Sequence, residues 1–450
     1  MTRHNVQLTH PLPNTPPLGE EANSALRGLI LNFECILKTC PKRSAPLSFV
    51  LLAMLLLAPA IVDAKPEILL TQTGLTAGDV AVLINDEDTQ SKAVGEYYQQ
   101  ARHIPAANMI HVRFAAGKHV LGKDEFLKLK TEIDRLTPRN IQAYAVTWTD
   151  PYRVDCMSIT SALAFGFDTK YCSTQCGTTK PSPYFNSATL SPAKKLKMRP
   201  AMMLAGIDFA QVKLLIDRGV AADHTFPTGT AYLLNTPDVT RSARAINFAQ
   251  TAKALKGVFP IEVLKTNAIA NRKDVLFYFT GLVQVPQLET LQFQPGALAD
   301  HLTSLGGMLT DSSQMSSLRW LEAGATASYG TVVEPCSHLQ KFPYPGIAMF
   351  YYAKGASAIE AYWKSVAWPG EGVFVGEPLA KPFGPLLKEV ATGQYELSIF
   401  VPRKSQLVVE SATARGGPFS LVATQELHRG LNVQRFGVSD SAEGVLSLRW

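Results

Sequence analysis

The sequence predicts an α/β protein in which a doubly wound, mostly parallel sheet is followed by a C-terminal all-β module of sandwich type. Apolar runs of strand length alternate with stretches of helical periodicity through most of the chain. Near residue 386 the periodicity changes to two residues, and 450 residues exceed what one hydrophobic core usually fills. We therefore expect an N-terminal extension over 1–64, an α/β domain over 65–385 and a β module over 386–450.

The α/β domain opens with alternating strands and helices. "DVAVLIND" (79–86) is a short apolar run closed by polar residues, as expected of a strand buried on both faces. Apolar residues then recur at three- and four-residue spacing from Ala93 to Ala101 and again from Phe126 to Leu136, which indicates two helices. Right-handed crossovers between such strands favour a parallel sheet. Strands are predicted at 79–86, 108–114, 141–149, 230–236, 274–281, 296–304 and 325–333, and later helices at 212–220, 245–255, 315–321 and 355–368.

The β module is indicated by strict alternation. In "GQYELSIFV" the residues Tyr395, Leu397, Ile399 and Val401 alternate with polar ones, which is the pattern of a half-exposed strand. Further short segments follow between glycine, proline and asparagine turns, without any helical pattern. This arrangement is typical of a small antiparallel sandwich.

The N-terminal region predicts export. Lys42 and Arg43 precede an apolar run over 47–58, and Val62 and Ala64 supply small residues for cleavage after Ala64. The run is shorter than the roughly 20 apolar residues that a membrane helix needs, so an uncleaved anchor is the less favoured alternative. The proline-rich stretch before it is long for a signal peptide, which suggests a start codon placed too far upstream or an unusual leader. We expect a periplasmic or extracellular protein without a stable transmembrane span after cleavage.

Charge narrows the expected partners. The formal net charge of +6 is mild, and no run of lysine and arginine is long enough to follow a phosphate backbone. Nucleic acid is therefore not expected as a partner. A small molecule or a component of the envelope or extracellular matrix is expected instead.

Four cysteines follow the predicted cleavage point, and an even number in an exported protein favours disulfides. They are Cys156, Cys172, Cys176 and Cys336. The stretch 150–200 is rich in serine and proline, and we interpret it as a cysteine-rich insertion after the third strand. The CxxxC spacing of Cys172 and Cys176 resembles half a zinc site, but no second pair matches it. We predict that Cys336 bonds to one of the other three and tethers the insertion; the alternative is a free nucleophile with His338 as its base.

Carboxylates dominate the predicted ends of the strands, and in a parallel sheet we expect them to share one edge, where open α/β sheets bind their ligands. The candidate ligand-binding residues are Asp86, Asp88, Asp150, Arg153 and Thr280, and the candidate catalytic residues are Asp300, His301 and Glu334. Asp88 has an alternative role, since aspartate often caps the helix that follows a strand. Together these residues favour acid–base chemistry or the binding of a cationic group. A divalent cation is a possible cofactor, and its identity is unknown.

His301 is the most specific of these candidates. It follows Asp300 within the otherwise apolar "ADHLTS". One hypothesis makes His301 a general base that Asp300 orients; the alternative is a core histidine whose hydrogen bonds are satisfied internally.

Two resemblances add expectations. A strand ending "FYFTG", a second strand that ends near a reactive residue, then a helix and a "GATASYG" strand resemble the caspase–gingipain type of α/β peptidase. In those enzymes a histidine and a cysteine end adjacent strands and the imidazole activates the thiol. Here "TGLVQV" has no histidine after its glycine, and Asp300 and His301 stand where that resemblance places cysteine. The segments "NDEDTQSKAVGEYYQQARHIPAANMIHV", "YRVDCMSITSALAFGFD" and "AIEAYWKSVAWPGEGVFVGEPLAKPF" resemble an uncharacterised family of exported bacterial proteins, which implies export and the domain plan without an activity.

Two functions remain. The favoured one is an exported protein that binds a ligand or partner in the envelope or outside the cell, because no complete pair of nucleophile and base can be assembled. The alternative is a divergent hydrolase of caspase–gingipain-like fold that lacks the usual His–Cys dyad and uses the carboxylate and histidine edge. Co-location of Asp86, Asp150, His301 and Glu334 on one pocket wall would favour the enzyme.

Overall fold

The computed structural model describes residues 67–71, 74–173, 176–438 and 444–450. The predicted signal peptide, with cleavage after Ala64, and the 1–64 extension lie outside these residues. Within them, no helix is long and apolar enough to cross a membrane.

Strands and helices alternate as far as residue 376, and strands alone follow. The strands are β1 (Glu67–Leu70), β2 (Val80–Asn85), β3 (Met109–Val112), β4 (Val120–Leu121), β5 (Ala143–Val146), β6 (Arg153–Val154), β7 (Met157–Ser158), β8 (Ala201–Met203), β9 (Thr230–Leu234), β10 (Ile261–Leu264), β11 (Val275–Thr280), β12 (Phe293–His301), β13 (Ala327–Thr331), β14 (Gly372–Gly376), β15 (Leu386–Ala391), β16 (Gln394–Val401), β17 (Ser405–Ala412), β18 (Ser420–Leu427), β19 (Gly430–Gly437) and β20 (Val445–Arg449). The helices are α1 (Thr89–Arg102), α2 (Lys123–Leu136), α3 (Ile159–Phe165), α4 (Pro192–Leu196), α5 (Phe209–Ala222), α6 (Phe248–Ala254), α7 (Leu318–Ala323), α8 (Pro345–Ala353) and α9 (Ala358–Ser365).

A 10-stranded, mostly parallel sheet forms the centre of the protein, in the order β10-β9-β11-β12-β13-β14-β8-β5-β2-β3. Every strand that the sequence predicts before residue 386 is present in it. β2 and β11 are buried along their whole length, as their continuous apolar runs require. The α/β class and the largely parallel sheet are therefore confirmed.

Helices cover both faces of this sheet. Val82 of β2 belongs to the same hydrophobic cluster as Val94 of α1, whereas Leu83 belongs to a second cluster with Phe126 of α2. Adjacent strand residues point to opposite faces, so the two clusters lie on opposite sides of the sheet. We call the large sheet with its helices the α/β body.

The sheet consists of two parallel halves that run in opposite directions. β14 pairs in parallel with β8 but antiparallel with β13. The carboxyl ends of β2, β5 and β8 therefore lie at the opposite edge from those of β11, β12 and β13. The expectation that all strand-end candidates share one edge is wrong, because β14, which the sequence did not predict, reverses the direction in the middle of the sheet.

The strands after residue 386 form two further sheets, β15-β16-β19 and β1-β20-β17-β18. Leu397 of the first sheet and Leu448 of the second belong to one hydrophobic cluster. β1 pairs in parallel with β20, so a strand from the start of the described chain completes a C-terminal sheet. We call residues 386–438 and 444–450, together with β1, the β module.

Aromatic side chains join the β module to the α/β body. Phe400 of β16 belongs to the main hydrophobic cluster of the body. Its ring centroid lies 4.8 Å from that of Phe383 and 5.9 Å from that of Phe259. The two parts therefore share a continuous core.

Two disulfides fix the 150–200 insertion. One joins Cys156 to Cys172 and the other joins Cys176 to Cys336. The prediction that Cys336 bonds to one of the three insertion cysteines is confirmed. Within the insertion, β6 pairs with β7, and on its other side it pairs with β4.

Candidate functional site

His301 is held inside the protein by two hydrogen bonds. Trp320 donates from Nε1 to His301 Nδ1 at 2.9 Å, and His301 Nε2 donates to the carbonyl of Met315 at 3.1 Å. The residue is 1% exposed, and burial lowers its pKa to about 3. With both ring nitrogens engaged and no solvent access, the imidazole is neutral and structural in this arrangement.

Asp300 does not orient His301. Adjacent residues of β12 point to opposite faces, and the Asp300 carboxylate instead lies 2.6 Å from Arg244 Nη1. Burial raises the pKa of Asp300 to about 6, against the opposing effect of Arg244. Arg244 also donates to the carbonyl of Thr280 at 2.7 Å, so Thr280 takes part through its backbone.

Glu334 has a local role beside a disulfide. It is exposed, and its Oε1 accepts a hydrogen bond from the amide of Cys336 at 2.8 Å. Arg153 reaches a neighbouring segment, where its Nη1 donates to the carbonyl of Val332 at 3.4 Å. None of these contacts involves Asp300 or His301.

Asp86 and Asp88 follow β2 and have separate partners. Asp88 caps α1 by accepting hydrogen bonds from the amides of Gln90 and Ser91 at 2.9 and 3.2 Å. Asp86 lies 2.7 Å from His111 Nδ1, and this hydrogen bond lowers the pKa of the carboxyl. The capping alternative for Asp88 is thus present in the structure.

Asp150 forms a carboxylate–imidazole pair with His119, a residue that the sequence did not single out. The distance from Asp150 Oδ1 to His119 Nδ1 is 2.9 Å, and this hydrogen bond raises the pKa of His119. Thr310 Oγ1 lies 3.1 Å from both carboxylate oxygens. Because the carboxylate accepts from Nδ1, Nε2 remains the ring atom that can exchange a proton.

The structure separates the carboxylates that the sequence grouped. Asp86 and Asp150 each pair with their own histidine, while Asp300 near the end of β12 and Glu334 after β13 lie toward the opposite edge. Within the described ranges, no group of three or more histidine, cysteine, aspartate and glutamate side chains could hold a metal ion.

A cleft of about 540 Å³ lies where the β module meets the α/β body. We call it the body–module cleft. Leu255 at the end of α6, with Ile347 and Phe350 of α8, gives it apolar walls. Amides from Asn186, Asn247 and Gln250 also line the body side, and Pro402, Arg403 and Arg429 line the module side. Its volume is within the range of small-molecule sites.

The charges on the cleft walls are all positive. Two arginines line it, and no aspartate or glutamate is among its described lining residues. The Arg403 guanidinium lies 5.7 Å from the centre of the Phe350 ring, and Arg429 donates to the carbonyl of Lys256. Burial, and then the nearby charge of Arg403, lower the pKa of Lys354 at the end of α8. The module side of the cleft is therefore electropositive.

Sequence reasoning did not find this cleft. Its lining comes from five separate stretches, at 186, 247–255, 344–350, 402–403 and 429, which only the docking of the module brings together. None of the residues proposed from strand ends lines it. Hydrophobic periodicity in a sequence identifies the buried face of a helix or strand. A cleft is lined by partly exposed residues next to that face, which the periodicity does not identify.

Comparison of the sequence and structure with known proteins identified no similar protein. No protein-family model, curated protein or solved structure matches the chain.

Proposed function

We propose that this protein is an exported ligand-binding protein of the envelope or extracellular space, and that it holds a small organic molecule in the body–module cleft. The cleft itself carries this proposal. It combines an apolar wall with a few polar groups at a volume of about 540 Å³, which is the composition of a small-molecule site. Leu255, Ile347 and Phe350 would contact the apolar part of the ligand.

Two features support export. Disulfides persist in oxidising compartments, and all four cysteines after residue 64 are in disulfides. The apolar run over 47–58 has the length and flanking residues of a signal peptide. The proposal includes membership of the exported bacterial family that the sequence resembles.

For the finer fold, we propose a caspase–gingipain-like body and a β-sandwich module. The adjacent parallel strands β11 and β12, followed by α7 and β13, are in keeping with the first assignment. The hydrophobic cluster shared by the two C-terminal sheets supports the second.

The binding proposal is tested with the neutral fluorophore N-phenyl-1-naphthylamine. Ala254 is exposed and lines the cleft, so Ala254→Trp fills the cleft without entering the core. We expect saturable binding to the wild type that weakens by roughly 10-fold or more in this variant. Val239→Trp places the same ring at a position that is 83% exposed and not among the cleft-lining residues, and it should bind as the wild type does. Absence of saturable binding, or equal binding by Ala254→Trp, would overturn the proposal.

A second candidate function, a divergent hydrolase, retains one supporting observation. The Asp150–His119 pair has the carboxylate–imidazole arrangement of a general base, in which the carboxylate accepts from Nδ1 and leaves Nε2 for proton exchange. Hydrolysis of an activated ester with a pH profile that follows one histidine, abolished by His119→Asn and retained by His111→Asn, would favour this candidate. Equal rates for all three proteins would remove it.

A further inference from the structure

We propose that the ligand of the body–module cleft is an anion: a small molecule with an apolar body and one oxyacid head group, bound by Arg403 and Arg429. This inference rests on the proposed function above and specifies the ligand class. It follows from the ion pairing in the β module, the register of its strands and the composition of the two cleft walls.

The ion pairs of the β module single out these two arginines. Three other arginines of the module each pair with a glutamate: Arg415 with Glu67, Arg435 with Glu396, and Arg449 with Glu410. In the described part of the chain, Arg403 and Arg429 form no ion pair; their contacts are the Phe350 ring and the Lys256 carbonyl. Both are exposed and line the cleft. Their charges are therefore available to a ligand.

Strand register brings the two charges to the same end of one sheet. In the antiparallel pair of β16 and β19, Val401 lies opposite Gly430. Arg403 follows Val401 by two residues, and Arg429 immediately precedes Gly430, so the two turns are neighbours. Two like charges in neighbouring turns repel each other, and an oxyanion between them would replace this repulsion with two charge-assisted hydrogen bonds.

The remaining walls indicate how the ligand would lie. The head group belongs on the module side with the arginines, while the apolar body faces Leu255, Ile347 and Phe350 on the body side. Phe350 also lies under the Arg403 guanidinium, at 5.7 Å, and orients it by a cation–π contact. A ligand of this kind would contact both parts of the protein at once and strengthen the docking of the module.

A matched pair of probes tests the charge requirement. 8-Anilino-1-naphthalenesulfonate carries the aromatic frame of N-phenyl-1-naphthylamine with an added sulfonate. We expect the wild type to bind the sulfonate at least roughly 10-fold more tightly than the neutral probe. The reason is that charge-assisted hydrogen bonds from the arginines to the sulfonate add about this factor in affinity, and the neutral probe cannot form them. The double variant Arg403→Gln/Arg429→Gln should lose this preference and keep its affinity for the neutral probe. Higher salt should weaken only the sulfonate.

Arg435→Gln is the matched control, since it removes one positive charge from β19 outside the cleft lining. It should leave both affinities unchanged, and thermal denaturation of each variant should match the wild type because these arginines are exposed. If Ala254→Trp blocks the neutral probe but the sulfonate binds no more tightly, the anion inference fails and the proposed function stands. If Ala254→Trp affects neither probe, both fail.

Discussion

Cys176 and Cys336 form a disulfide that joins positions 160 residues apart in the sequence. It fastens the insertion to the segment that follows β13. His338, which could have served Cys336 as a base, donates instead from Nε2 to the carbonyl of Cys176 at 2.7 Å. Both residues that could have formed a thiol–imidazole pair thus belong to one structural tether.

Cys336→Ser should destabilise the protein markedly, and reduction, which also opens the Cys156–Cys172 disulfide, should destabilise it at least as much. Opening a loop of this length increases the entropy of the unfolded chain, with an effect of about 5 kcal/mol in the chain-entropy account. Urea denaturation of the wild type with and without reductant, beside Cys336→Ser, measures the change. Quantitative alkylation of Cys336 in native, unreduced protein would contradict the tether.

A buried ion pair makes a second prediction. Arg102 of α1 binds Glu377 after β14 through two nitrogens, and Tyr98 donates to Glu377 Oε1 at 2.7 Å. The Glu377 side chain has no exposed surface. Glu377→Gln leaves the buried Arg102 guanidinium with Asp223 as its remaining carboxylate partner, so the substitution should cost about 1–3 kcal/mol. The exposed pair of Arg319 and Glu322 is the control, and Glu322→Gln should change the free energy of unfolding by about 1 kcal/mol or less. Equal effects of the two substitutions would exclude a stabilising role for the buried pair.

The docking of the β module gives a third prediction. Phe400 is 9% exposed and packs against Phe259 and Phe383. Phe400→Ala should lower the free energy of unfolding by about 3 kcal/mol or more and increase proteolysis between 380 and 395. Phe419→Ala, at a position that is 38% exposed, should have a much smaller effect. A stable, monomeric fragment that ends near 385 would show that the body folds without this contact.

Deletion of residues 386–450 would disturb more than the Phe400 contact. It removes β20, the parallel partner of β1, and uncovers the body residues that Phe400 contacts. The change in periodicity near 386 reports where strands replace helices along the chain. It carries no information on contacts across that boundary, which form only when the module docks.

The sequence predicted those parts of the fold whose signal is local. β2 and β11 are continuous apolar runs, and each is buried along its length. The glycine-bounded "GVFVG" of β14 carries too short a pattern to be recognised, yet its direction decides which strand ends are neighbours. A common edge for the strand-end candidates was inferred from parallel topology alone. The antiparallel pairing of β13 with β14 places these candidates at opposite edges of the sheet.

The partners of the site candidates were missed for a related reason. Asp150 was chosen from its position after β5, but its partner His119 lies 31 residues away in a loop without a distinguishing pattern. His301 was chosen because a polar residue stood in an apolar run. That pattern is produced equally by a catalytic base and by an internally satisfied histidine, and only the positions of Trp320 and Met315 distinguish them.

The buried imidazole makes a fourth prediction, on pH. Burial lowers the pKa of His301 from its ordinary value of 6.5 to about 3 in the folded protein. Between these values the unfolded chain binds a proton that the folded protein does not, so stability is fully present above about pH 6.5 and is lost as the pH falls toward 3. The expected slope from this group is about 1.4 kcal/mol per pH unit. Asp300, whose pKa is raised, acts in the opposite sense below about pH 6, so the effect must be isolated by substitution.

His301→Gln isolates it, because glutamine can accept from Trp320 and donate to Met315 without titrating. We expect this variant to lose less stability than the wild type between pH 6.5 and pH 4.5, measured by urea denaturation at each pH. His301→Ala should instead leave Trp320 Nε1 and the Met315 carbonyl unpaired in the core, at a cost of about 1–3 kcal/mol for each at neutral pH. Two results would contradict a buried, neutral, hydrogen-bonding imidazole. One is a His301→Ala variant that is as stable as the wild type, and the other is parallel pH profiles of stability for His301→Gln and the wild type.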